Sequence, residues 1–541
     1  MKLAPLAALL SLFAAPAIAQ TTPPPAKPKL IVFISVDQFS ADLFAEYRSR
    51  FAGGFARLQR GAVFPSGYQS HAATETCPGH STLLTGNRPS RTGIVANDWI
   101  DLTTAREDKT IYCAEDESVA GSTSSAYTVS DTHLKVPTLG ERMKAADPAT
   151  RVVSVAGKDR AAVMMGGHTV DELWWWNGKA YVSYAGRAEP GAVTRANAAV
   201  AERIAAAQPA LELPDFCVPH DRAVDIGGGK TVGTNRFARE AGSASKFRAS
   251  PEFDAATLAL AAALIQDMKL GQGKATDIIS IGASGTDYVG HSYGTEGVEM
   301  CLQMASLDRD LEAFFKVLDA TGIDYVVGLS ADHGGHDLPE RNREDAAPMA
   351  ARIDPALTAR AIGDQVAARL GLQGQVLWGG NFGDVYVDPR MPAATRAQVL
   401  SEATRLFRAH PQVQAVLPAG QVAATPRPTT PPETWTLLER ARESYHAGRS
   451  GDLIVALKPR VTPIADPTRG YVATHGSFWD YDRRVPILFW RKGMTGFEQP
   501  LSVETVDIAP TLAGLIGLPL KAEDIDGRCL DLVAGAGTSC P

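Results

Sequence analysis

Residues 30–36, Leu-Ile-Val-Phe-Ile-Ser-Val, form a nearly continuous apolar and β-branched run that stops at Asp37. Unbroken rather than alternating hydrophobicity marks a strand covered on both faces, as in a parallel sheet. Asp37 then falls at the carboxyl end of that strand, where open α/β sheets present ligand-binding groups. Comparable runs at 151–156, 277–281, 324–330, 453–457 and 485–490 predict further buried strands. Helical spacing of apolar residues predicts helices over 44–60, closed by Gly61, and over 255–268 and 301–318. A polar loop, Tyr68-Gln69-Ser70-His71, leads to Thr74-Glu75-Thr76-Cys77-Pro78-Gly79-His80 and an apolar stretch that can start another helix. Alternating strands and helices predict an α/β sandwich, a largely parallel central sheet flanked by helices.

Two regions break this rhythm. One, at about 171–251, holds Trp174-Trp175-Trp176 and clusters of Gly and Ser; the other, at about 339–449, holds a strand-like piece at 384–387 and a Pro/Thr-rich stretch at 425–432. Both read as cap-like insertions on one catalytic domain covering 30–541. The first 19 residues have the form of a signal peptide: Lys2, an apolar stretch at 3–13, and Ala17-Ile18-Ala19 as a cleavage pattern. Residues 20–29, rich in proline, read as an extended tether. No other stretch approaches about 18 uninterrupted apolar residues, so the expectation is a periplasmic or secreted protein without a membrane span.

A formal net charge of −7 gives no bulk electrostatic case for a nucleic-acid polymer or an anionic membrane as partner. Six cysteines suit an oxidising compartment. Their spacing suggests Cys529–Cys540 as a short C-terminal bridge and Cys113–Cys217 as a second, with Cys77 and Cys301 free and packed.

The candidate chemistry is spread along the chain. Asp287 and His291 stand four apart, Asp332-His333 follows a predicted strand, and His475 lies in Thr474-His475-Gly476. Taken singly, each reads as a turn, cap or surface residue. Together with Asp37 they make three Asp and three His, drawn from only eleven His in the chain. Carboxylate plus imidazole is the ligand set of a catalytic zinc site, and no four-cysteine pattern of a closed structural site is present. Six ligands suffice for two zinc ions, a clamp suited to phosphoryl transfer. Thr76 is then the candidate nucleophile, since a threonine hydroxyl needs a base or a metal to activate it. Lys158 and Arg160 follow the strand predicted at 151–156, and with Asn97 they can bind phosphoryl oxygens. His336 is an extra histidine near these ligands, read as a supporting group or a bystander. An additional structural Ca²⁺ in one of the acidic loops is compatible with the sequence, with no position assigned.

These motifs are Val36-Asp37-Gln38, Thr76-Cys77-Pro78-Gly79-His80, Ala96-Asn97-Asp98-Trp99, Gly157-Lys158-Asp159-Arg160, Thr286 through His291, Asp332-His333-Gly334-Gly335 and Thr474-His475-Gly476. In this order they resemble the alkaline phosphatase superfamily, and within it the PafA/PhoK-type periplasmic enzymes that use threonine. The resemblance implies an alkaline-phosphatase-like fold and a phosphothreonine intermediate at Thr76. It implies one zinc on Asp287, His291 and His475, and another on Asp37, Asp332, His333 and the Thr76 oxygen. Asn97, Lys158 and Arg160 would bind the phosphoryl group of small phosphate monoesters. Segments 506–512 and Asp526-Gly527 are also family-typical and look structural.

Two other readings compete. A nucleotide phosphodiesterase or pyrophosphatase of the same superfamily would share the metal ligands, the Thr and the Asn. It is not expected to carry the Lys-x-Arg pair, which favours monoesters here. A non-catalytic metal or phosphate carrier would have no use for Thr76. The sulfatase pattern fails, because Pro78 follows Cys77 directly.

Overall fold

All seven residues of the strand Leu30–Val36 are buried, and it lies at the middle of the main sheet. The computed structural model describes residues 27–345 and 347–541; the expected signal peptide and the tether through residue 26 lie outside them. The long strands of this sheet are β1 (Leu30–Val36), β2 (Ala62–Tyr68), β3 (Val152–Ala156), β4 (Glu172–Trp176), β5 (Asp277–Ala283), β6 (Tyr325–Ser330) and β7 (Arg484–Arg491). Their order is β2-β7-β6-β1-β5-β3-β4, with short strands at both margins. From β6 to β4 every pairing is parallel, while β7 runs antiparallel to both β6 and β2. The two faces of β1 feed separate cores. Leu30, Val32, Ile34 and Val36 join one apolar cluster, and Ile31 and Phe33 join the other. Burial on both faces explains the unbroken apolar run in the sequence.

Register sets the position of the functional edge. Val36 pairs with Ala283, Ser35 with Ser330, and Gly282 with Ala156. Four adjacent parallel strands therefore end nearly level. The residues that follow them, Asp37, Lys158, Asp287 and Asp332, emerge along one edge, with strands about 4.8 Å apart.

Several expectations need correction. The helix predicted over 44–60 is two short helices, Ala41–Tyr47 and Gly54–Leu58. The carboxylate of Asp308 accounts for the break. It accepts hydrogen bonds from the amides of Ala52, Gly53 and Phe55 at 2.8, 2.7 and 2.8 Å. The strand Leu453–Leu457 is fully buried as expected but lies outside the main sheet. It sits in a four-stranded antiparallel sheet with Gly383–Tyr386 and Val413–Pro418, beneath the helices Ala359–Leu370 and Ala393–Ala409. Trp174-Trp175-Trp176, read as the start of an insertion, instead continues the main sheet as β4.

The disulfides also differ. Cys529–Cys540 forms, but the others are Cys77–Cys113 and Cys217–Cys301, and no cysteine is free. Cys77 lies in the first turn of a helix that abuts the end of a hairpin, and Cys217 packs on the helix Val298–Ala320, giving Cα separations of 6.5 and 5.6 Å. Spacing along the chain carries no record of such approaches. Among the described residues no helix is long and apolar enough to cross a membrane.

Replacing Asp308 with Ala leaves three backbone amides without their acceptor. We expect a loss of about 2–4 kcal/mol in urea unfolding. An unchanged midpoint would show that other acceptors take over.

Candidate active site

Thr76 is the first residue of the helix Thr76–Leu83, and the whole helix is buried. Its amide end therefore faces the same region as the Thr76 hydroxyl, which favours negative charge there. Gly79 lets this helix lie directly on the loop after β6, since a Cβ at this position would fall on the carbonyl oxygen of Asp332. The hydroxyl of Thr76 is 3.3 Å from Lys158 Nζ and 3.5 Å from an Arg160 guanidinium nitrogen. Asn97 comes from the hairpin Asp98–Ile100/Thr110–Tyr112 and is pinned in place. Its side-chain oxygen accepts from the Cys77 amide at 2.8 Å, and its own amide donates to Glu75 at 2.7 Å. The side-chain NH₂ is left as its available donor. The disulfide Cys77–Cys113 ties this hairpin to the helix.

The six ligand candidates converge at the strand edge. Asp287 and His291 lie one turn apart on the helix Gly285–Tyr293, and His475 enters from a distant loop. These three form one group whose ligand atoms lie within 4.8 Å of one another. Two further groups overlap at Asp37: one with Asp287 and His333, the other with His80 and Asp332.

Hydrogen bonding fixes the imidazoles. Nδ1 of His291, His333 and His475 each lies 2.8 Å from a backbone carbonyl, of Ala473, Gly334 and Thr74 respectively. A carbonyl can only accept, so Nδ1 carries the proton and Nε2 presents a lone pair. Yet Nε2 of His291 and of His475 lies 3.2 and 3.3 Å from Asp287 Oδ1. Nε2 of His333 lies 3.3 Å from Asp332 Oδ2 and 3.5 Å from Asp37 Oδ1. Acceptor faces acceptor, and only an extra proton or a shared cation relieves that. His333 Nε2 and Asp332 Oδ2 are buried without a hydrogen-bond partner among the described residues. The donor set thus fits divalent metal ions of the zinc type.

Charge crowding points the same way. Burial, then repulsion from Asp332, pushes the carboxyl of Asp37 well up against the pull of Lys158. Burial would also raise Asp332, but His333 and His80 hold it below the usual carboxylate range. Burial takes the His333 imidazole down to about 3 against the attraction of Asp332. Lys158 sits 2.6 Å from both Asp37 and Asp287; burial alone would lower its ammonium, but these carboxylates hold it up.

A family model described as type I phosphodiesterase / nucleotide pyrophosphatase matches residues 31–478. Alkaline phosphatase PhoK of a Sphingomonas species is 62% identical over 95% of this chain and 92% of its own length. Alkaline phosphatase PhoD of Zymomonas mobilis is 50% identical over 95% and 89%. The crystal structure of alkaline phosphatase PafA superposes with a TM-score of 0.81 at 25% identity, covering 94% of this chain and 99% of that one. The chain belongs to the PafA/PhoK-type alkaline phosphatases. It is therefore a phosphoric monoester hydrolase of the alkaline phosphatase superfamily, with the mixed α/β fold of PafA.

In this phosphatase three neighbours of the site had no role in the sequence reading. His80 Nδ1 lies 2.9 Å from the Thr76 carbonyl and 3.1 Å from Asp332 Oδ2. Gln38, with φ of 64°, donates from its side chain to Asp287 and from its backbone to Asp332, both at 3.1 Å. Glu75 holds Asn97, as described. Gln38 and Glu75 adjoin Asp37 and Thr76 in sequence, and His80 closes the motif that begins at Thr76; these were the signals that pointed to them. His336 stands apart: Nε2 is 3.0 Å from Thr462 Oγ1, and Nδ1 is 3.6 Å from Asp482. Asp482 in turn accepts from the amide of Ser477, two residues past His475. Beside Thr76 a cavity of about 370 Å³ is lined by Glu75, Asp98, Trp99 and Gly476, and from the second sheet by Phe382 and Asp384.

A Gly79→Ala variant should displace the Asp332 loop from the Thr76 helix. We expect kcat/KM for a phosphate monoester to fall about 100-fold. Full activity in the folded variant would show that the contact tolerates a methyl group.

Proposed function

We propose that this exported phosphatase hydrolyses small phosphate monoesters by double displacement at Thr76. The observation that carries the reading is one hydroxyl set between two cationic side chains, beside paired groups of buried carboxylates and imidazoles. Asp287, His291 and His475 would hold one zinc ion, and Asp37, Asp332 and His333, with the Thr76 oxygen, the other. When bound, the pair supplies Lewis-acid stabilisation of the attacking and leaving oxygens. Thr76 loses its proton to solvent and its oxygen attacks phosphorus in line. The bond from phosphorus to the alcohol oxygen breaks, and the alcohol departs with a proton from solvent. Water then attacks the phosphothreonine, releasing orthophosphate and restoring the hydroxyl.

Throughout, Asn97, Lys158 and Arg160 bind the non-bridging oxygens. A monoester offers three of these and a diester only two, with a second substituent to accommodate. Two cations next to the hydroxyl match the greater charge of the monoester. The chemistry of the ligand set favours zinc, and a periplasmic or secreted site of action agrees with three disulfides in the chain.

The test compares p-nitrophenyl phosphate with its bis-p-nitrophenyl diester. Monoester cleavage should dominate, disappear on chelation and return with zinc. Diester preference would move the protein to nucleotide phosphodiesterase chemistry, and no turnover of either would support a binding protein. Thr76→Ala should lower monoester turnover by about 10³-fold or more. Arg160→Ala should cost about 10²–10³-fold on the monoester and far less on the diester; equal losses contradict its assigned role. The rate should climb into the alkaline range, because the attacking hydroxyl must be deprotonated. A maximum at about pH 5 would contradict that step.

A further inference from the structure

Arg160 has an unusual set of neighbours for a deeply set guanidinium. It makes no ion pair among the described residues, and its Nε is buried without an acceptor. One guanidinium nitrogen approaches Thr76, and the other donates to the hydroxyl of Tyr112 at 3.3 Å. That hydroxyl in turn donates to Asp159 Oδ1 at 2.7 Å. The guanidinium thus reaches the Asp159 carboxylate through a phenol.

The acceptor sites of Asp159 are taken up elsewhere. Oδ1 also accepts from the Arg160 amide at 2.7 Å, and Oδ2 accepts from the hydroxyl of Tyr127 at 2.7 Å. The Tyr112 and Tyr127 rings pack with centroids 4.6 Å apart. Tyr112 and Asp159 are 6% and 8% exposed, so water does not compete for these bonds. Burial, then the charge of Asp159, pushes the Tyr112 phenol well above its ordinary range, so it stays a neutral donor in alkaline solution. Covalent structure reinforces the arrangement. Cys113 follows Tyr112, Cys77 follows Thr76, and the two cysteines are bonded.

A carboxylate in direct contact with Arg160 would orient it but cancel its charge and occupy its fork. A phenol provides one acceptor and no charge. We propose that Tyr112 and Asp159 are positioning residues: they aim Arg160 at the phosphoryl group while leaving its full charge for the substrate. The proposal rests on Arg160 binding the phosphoryl group, as argued above.

A double-mutant cycle in the full-length, metal-loaded enzyme tests it. Tyr112→Phe keeps the ring and removes the acceptor. We expect kcat/KM for p-nitrophenyl phosphate to fall about tenfold, the worth of one buried hydrogen bond to a charged group. Asp159→Asn should produce a loss of similar size, as an independent variant should Tyr112→Phe fold poorly. The decisive measurement repeats each change in an Arg160→Ala background, where it should cost less than about twofold. The inhibition constant for inorganic phosphate should follow the same pattern. Equal losses with and without Arg160 would mean that the network only supports local packing, and the proposal falls. No loss from either single variant overturns it as well. If Arg160→Ala itself leaves monoester hydrolysis intact, the phosphoryl-binding role of Arg160 has failed first, and the positioning role fails with it.

Discussion

Three carboxylates, Asp37, Asp287 and Asp332, are buried at the ends of adjacent parallel strands, and their mutual repulsion is the constraint that the site has to meet. Water cannot screen them there, and burial of like charges is costly without cations close by. Lys158 supplies one such charge, at 2.6 Å from Asp37 and Asp287. The imidazoles of His291, His333 and His475 turn lone pairs rather than protons toward the same space. The fold therefore gathers a set of buried groups suited to holding metal.

Parallel pairing is what makes that convergence available. In a parallel sheet all carboxyl ends lie on one edge, so loops far apart in sequence meet there without long excursions. The level ends of β6, β1, β5 and β3 bring together residues from four segments. Thr76 reaches this edge differently, on a helix whose contact with the Asp332 loop is close enough to exclude any side chain at Gly79. The disulfide to Cys113 then carries Asn97 and Tyr112 along with the helix, so the groups around the Thr76 hydroxyl are fixed to one another.

Much of this was legible in the chain. Continuous apolar runs revealed β1, β3, β5, β6 and β7, because burial on both faces leaves no alternation to obscure them. Asp37 and Asp332-His333 could be placed at strand ends by the same runs. Other features were not legible, each for a specific reason. The helix over 44–60 has the right periodicity, but Asp308, about 250 residues away, captures the amides that would continue it. Leu453–Leu457 reads like a strand of the main sheet, since an apolar run records burial and not which sheet does the burying. His80 gave no sign of facing Asp332, since the two meet only where the Thr76 helix packs on the loop after β6.

The sequence by itself determined the fold class, the family and the residue types of the site. Apolar periodicity and short motifs are local properties of the chain, and local patterns survive without coordinates. The tertiary structure alone decided which cysteines pair, which sheet receives each insertion strand, and how Tyr112 and Asp159 stand behind Arg160. Those outcomes depend on distances between segments separated by tens to hundreds of residues. Such distances are set by packing and strand register, and no stretch of sequence encodes them on its own.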